Sequence, residues 1–169
     1  MTYAKLYSKI AILAPDYADV AIWNDSQISI ATEKRMQAKW FEENGYDVVK
    51  YTNMPMSHTT LEYVGHMAIT GKGTYTQVLA TVLPCATLYR EIGEEILRRA
   101  QKAFGRDLEG HPYQSWILSY GSDEFQEAVD AMIQVIDDAA SRVNYDEFEE
   151  MLRVHNISHK CEFDFFNQN

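Results

Sequence analysis

Apolar positions recur along this chain at helical spacing with few interruptions. In residues 3–14, Tyr3, Leu6, Tyr7, Ile10 and Leu13 fall on one stripe that is already in register at the third residue, and Pro15 ends the run. Residues 16–44 set Val20, Trp23, Ile30, Met36, Trp40 and Phe41 at helical positions. Asn24-Asp25-Ser26 offers a break and a cap, so two helical pieces are expected there, closed by Gly45. Residues 46–58 read as a connecting loop, although residues 47–51 have strand propensity. Thr59-Thr60-Leu61-Glu62 has the form of a capping box, which starts a helix reaching Thr70 and stopping at Gly71-Lys72-Gly73.

The longest run follows, over residues 74–104, with Val78, Val82, Cys85, Tyr89, Ile92 and Ile96 on its core face and Arg98, Arg99 and Lys102 suited to its C-terminal end. Pro84 lies inside it and predicts a kink or restart beside Cys85. Gly110-His111-Pro112-Tyr113 breaks the pattern, and residues 114–120 read as a short helix. Ser122-Asp123-Glu124 caps another, carrying Phe125, Val129, Met132, Ile136 and Val143. The last begins at Asn144-Tyr145-Asp146-Glu147 and runs through Phe148, Met151, Leu152 and His155 toward Phe166. Each stripe can be buried only against other helices, so an all-α, bundle-like single domain over residues 1–169 is expected.

Charge narrows the choice of partners. A formal net charge of -10, with no basic stripe, argues against a nucleic-acid or anionic-membrane surface. The chain has no apolar run of membrane length, and its two cysteines, Cys85 and Cys161, lie far apart without metal-ligand spacing. A reducing cytoplasm is the expected setting. Gly71-Lys72-Gly73 does not form a phosphate-binding loop, because His66 and Gly73 stand where that motif needs glycine and a hydroxyl.

Two places carry candidate chemistry. Cys85 and Tyr89 are four residues apart on one helical face, so thiol and phenol reach the same volume. Glu162 stands among Cys161, Phe163, Phe165 and Phe166, where a desolvated carboxyl group can donate and accept protons near neutral pH. The segments Pro84-Cys85-Ala86-Thr87-Leu88-Tyr89, His111-Pro112-Tyr113-Gln114-Ser115-Trp116-Ile117 and Glu162-Phe163-Asp164-Phe165-Phe166, in that order, resemble the TenA family, also called thiaminase II.

The resemblance implies a haem-oxygenase-like helical fold and thiamin salvage. The implied reaction is hydrolysis of 4-amino-5-aminomethyl-2-methylpyrimidine to the hydroxymethyl pyrimidine and ammonia, with weaker cleavage of thiamin. On matching positions it implies Cys85 as the nucleophile and Glu162 as the acid/base, with Tyr3, Tyr63, Tyr89 and Tyr113 as substrate-binding phenols. It also implies a homotetramer, and the scheme requires no metal or organic cofactor. None of the five histidines is expected to ligate haem or metal.

One departure stands at the beginning. The family's helices usually start earlier, and the aspartate expected three residues before Tyr3 would fall just ahead of Met1, so these N-terminal helices are expected to be missing. Losing such a hydrogen bond to a charged group costs about 1.5–3 kcal/mol. A shortened, non-catalytic relative that binds a pyrimidine or acts as an interaction protein is therefore the alternative expectation.

Overall fold

The computed structural model describes residues 3–168, which form eight helices and, among the described residues, no strand. They are α1 (Tyr3–Leu13), α2 (Tyr17–Glu43), α3 (Val48–Thr52), α4 (His58–Thr70), α5 (Tyr75–Phe104), α6 (Gln114–Tyr120), α7 (Asp123–Ala140) and α8 (Tyr145–Phe166). The all-α expectation is met.

Capping explains most of the boundaries. The Asp16 carboxylate accepts from the Ala18 and Asp19 amides, Ser122 from Phe125, and Asn144 from Glu147. Thr74 and Gln77 form a reciprocal capping box at the start of α5. Each such cap is worth about 1 kcal/mol. At the end of α2, Gly45 has φ +77, and the Tyr46 and Gly45 amides reach the Phe41 and Glu42 carbonyls.

Five local expectations are corrected. α2 is continuous through Asn24-Asp25-Ser26, because Ser26 Oγ and Ser29 Oγ donate to the Ile22 and Asp25 carbonyls along the helix instead of capping a new one. The loop over residues 46–58 contains the short helix α3, capped by Asp47, whose carboxylate accepts from the Lys50 amide. α4 is capped by Ser57, not by Thr59-Thr60-Leu61-Glu62, so it begins earlier. Pro84, buried in α5, does not restart it: one helix runs from Tyr75 to Phe104. Val143 falls in the turn after α7 and still packs on the core.

α5 is the central element, in contact with α1, α4, α6, α7 and α8. Its Val78, Leu79 and Val82 meet Leu6, Tyr7 and Ile10 of α1, Trp23 of α2, Met67 of α4, Val129 and Met132 of α7, and Met151 and Val154 of α8 in one apolar cluster. Fully burying each of the aliphatic members contributes about 1.5–3 kcal/mol. Thr76 and Gln77 donate to Glu147 (2.7 Å) and Glu150 (3.1 Å), fixing the first turns of α8 against α5. Among the described residues no helix is long and apolar enough to cross a membrane.

Candidate active site

Four helices converge on the Cys85 thiol. α5 presents it, α1 brings Tyr3 and Tyr7, α4 brings Tyr63, and α8 brings Glu162, which is 2% exposed. The Glu162 carboxylate accepts from the Tyr63 hydroxyl and, at 3.2 Å, from the Tyr3 hydroxyl, and the two hydroxyls also contact each other. The Tyr3 and Tyr63 rings meet edge to face with centroids 6.2 Å apart. The carboxylate therefore sits at the end of a short chain of phenol donors.

Burial and the neighbouring Glu162 charge push the Cys85 thiol well above its ordinary range, while a hydrogen bond from Tyr3 acts the other way. Burial also raises Tyr3, Tyr63 and Tyr89, with the Glu162 charge adding to it, so all three phenols stay protonated donors at neutral pH. A resting thiol of this kind is neutral and needs a base to become a nucleophile. Glu162 is the carboxylate in reach.

Tyr89 lies one turn beyond Cys85 on the same face of α5, and its ring packs against Tyr120 (5.2 Å) and Phe166 (5.7 Å). Tyr113 is placed differently. It precedes α6, is 51% exposed and stacks on Trp40 at 5.2 Å, while Trp40 Nε1 donates to the Pro112 carbonyl. Its aromatic partners are Trp40 and His111, not the groups around Cys85.

Two residues around the thiol were not anticipated from the sequence, Glu33 and Tyr120. The Glu33 carboxylate bears on the Tyr120 hydroxyl and on Tyr7, Tyr89 and Cys85, and it accepts from Gln37 Nε2 at 2.7 Å. Its signal was present: Trp23, Ser26, Ile30 and Glu33 share the inner stripe of α2, so a charged group there faces inward. His66, expected to be a cap, surface group or satisfied core residue, is half-buried and pairs with Ser158 at 2.8 Å.

Two open surface depressions lie elsewhere. One, of about 480 Å³, is lined by His155, His159, Lys160 and Phe163; the other, of about 260 Å³, by Asp19, Tyr75, Asp138 and Arg142; neither includes Cys85 or Glu162. Among the described residues no group of three or more His, Cys, Asp or Glu side chains is arranged to hold a metal ion.

The helix arrangement is an all-α, haem-oxygenase-like fold shared with solved TenA proteins. A TenA family transcription regulator from Silicibacter sp. TM1040 superposes with a TM-score of 0.80 at 18% identity, over 96% of this chain and 72% of that one. A TenA homologue from P. horikoshii OT3 does so at 0.77 and 20% identity, with the same coverage. The chain belongs to the TENA/THI-4/PQQC family, whose model matches residues 1–169. An aminopyrimidine aminohydrolase of Bacillus subtilis is 33% identical over 112 residues, 65% of this chain and 44% of that protein. One from Halalkalibacterium halodurans is 24% identical over 98% of this chain and 72% of its own length. The chain thus spans less than half of the first relative and about three quarters of the second.

Proposed function

We propose that this protein is a thiamin-salvage hydrolase that converts 4-amino-5-aminomethyl-2-methylpyrimidine and water to the hydroxymethyl pyrimidine and ammonia. The observation that carries the reading is the meeting of the Cys85 thiol with the buried Glu162 carboxylate, from helices far apart in the chain. Relatives described as aminopyrimidine aminohydrolases support it.

In this reading Glu162 takes the thiol proton as sulfur bonds to an electron-poor ring carbon, and the electron pair displaced into the ring is protonated at a ring nitrogen by the same carboxyl group. Loss of aromaticity lets the amine, protonated as ammonium, leave the exocyclic methylene as ammonia. Water then adds to that methylene and gives its extra proton to the ammonia. The ring-nitrogen proton returns to Glu162 as the electron pair restores the aromatic ring and expels the thiolate, which takes that proton back from Glu162. Tyr3 and Tyr63 hold Glu162, and Tyr89 and Tyr113 are assigned to the aromatic substrate contacts. A thiol chemistry of this kind suits a reducing compartment, and a homotetramer belongs to the same reading.

The test is ammonia release from the aminomethyl pyrimidine. Cys85→Ser and Glu162→Gln are each expected to lower kcat by at least about a hundredfold, as for a lost nucleophile or acid/base, with helical content unchanged by circular dichroism. Wild-type-like turnover in Cys85→Ser overturns the mechanism. A non-catalytic role is the second reading, because a structural neighbour is described as a transcription regulator. Pyrimidine binding without turnover by the wild-type protein selects it.

A further inference from the structure

α4 and α8 run antiparallel and are joined by three polar rungs in regular register. Ser57 contacts Gln168 at one end, Tyr63 donates to Glu162 in the middle, and His66 pairs with Ser158 at 2.8 Å beyond it. Tyr63 and His66 are three residues apart on α4, Ser158 and Glu162 four apart on α8, so the second and third rungs lie about one turn apart on facing surfaces. The outer Ser57 rung is exposed, whereas Ser158 is 0% and Glu162 2% exposed.

Met67 on α4 and Met151 and Val154 on α8 belong to the apolar core cluster. Apolar packing is non-directional, and methionine adapts readily to a shifted neighbour. Hydrogen bonds fix distance and angle. The register of α4 on α8 is therefore set by the rungs, and among the described contacts the buried hydroxyl of Ser158 has His66 as its side-chain partner.

We propose that His66 and Ser158 are a positioning pair that locks α4 against α8 and so holds Glu162 at the Cys85 thiol. Neither residue touches the thiol in this scheme; they act through the Tyr63–Glu162 rung. The groups bearing on the imidazole from α8 are Ser158 itself and the Arg153 guanidinium, which is held by Glu150. The catalytic consequence rests on the hydrolase reading above, but the positioning claim does not.

A readout independent of turnover is therefore used: the rate at which iodoacetamide modifies Cys85 at pH 8, resolved from Cys161 by peptide mass spectrometry. The Glu162 charge restrains thiolate formation, so loosening the rung exposes a more reactive sulfur. Ser158→Ala and His66→Leu are expected to raise the rate about threefold to tenfold, in the same direction as Glu162→Gln. His66→Gln, whose amide reaches toward Ser158, is expected to restore the wild-type rate. Ser158→Ala puts a strong helix former in the same volume, so it carries the comparison should His66→Leu fail to fold.

Wild-type rates in both Ser158→Ala and His66→Leu overturn the proposal, as does a His66→Gln rate equal to that of His66→Leu. If the thiol pattern holds while the wild-type protein releases no ammonia from the aminomethyl pyrimidine, the positioning pair stands and the hydrolase reading falls.

Discussion

At the imidazole of His66, burial and the Arg153 guanidinium act in the same direction, holding it below its ordinary value of 6.5. The folded state thus binds this proton less readily than the unfolded chain. Its neutral form is fully accommodated above the unfolded pKa, and stability is lost as pH falls through and below about 6.5. His66→Gln removes that term while keeping a group that can reach Ser158. Urea unfolding at pH 7.5 and pH 5.0 is expected to show a smaller acid-induced loss of stability in the variant than in the wild type, and an equal loss in both would refute the assignment. Cys85 and Glu162 could be singled out in the sequence because a thiol and a carboxyl group flanked by aromatics are chemically conspicuous, whereas Tyr63 came only from the family resemblance. Glu33 and the His66–Ser158 pair escaped notice for the opposite reason: each is an ordinary polar residue whose meaning comes from the helix opposite.

At the scale of the helices, two glycine environments make opposite predictions. A Cβ at Gly93 would lie 2.4 Å from the Tyr120 carbonyl oxygen and 2.7 Å from its carbon, so α5 and the end of α6 meet there through backbone. Gly93→Ala is expected to destabilise the protein by about 1–3 kcal/mol, the range for overpacking against atoms that cannot rotate away. On α4, Gly65 has nothing within 4 Å of that position. Gly65→Ala is therefore expected to stabilise by about 0.5–1 kcal/mol through helix propensity alone. Equilibrium denaturation of the two variants checks both signs, and a stabilised Gly93→Ala would refute the close approach. The helices themselves were largely legible, because stripe spacing and caps such as Ser122 and Asn144 are local signals. The errors arose where one local signal competed with another. Asn24-Asp25-Ser26 offers a cap, but Trp23 on one side and Ile30 on the other continue the buried stripe, and tertiary burial kept α2 whole.

For the molecule as a whole, the meeting of α5 and α8 was beyond local reading, since no periodicity states which stripe faces which. The family resemblance supplied that pairing, and it also assigned Tyr113 to substrate contact; in the fold that ring stacks on Trp40. Charge is a global property of another kind. Asp and Glu number 25 against 15 Lys and Arg, leaving -10 spread over the surface. Among the described residues the ion pairs lie within single helices, such as Lys39–Glu43, Arg99–Glu95 and Arg153–Glu150, except Arg90–Asp130, which joins α5 to α7 at 2.6 Å. Local exposed pairs contribute about 0.3–0.5 kcal/mol each, and salt weakens them. Salt also screens the repulsion among the excess carboxylates, which acts over longer distances and opposes the folded state. Because the Debye length falls from about 30 Å at 0.01 M to about 3 Å at 1 M, the long-range repulsion is removed first and the close pairs last. Raising sodium chloride from low to roughly half-molar concentration is therefore expected to increase Tm by a few degrees, about what 1 kcal/mol produces in a domain of this size. A fall in Tm over the same range would mean that the short ion pairs, with Arg90–Asp130 foremost among them, outweigh the net charge.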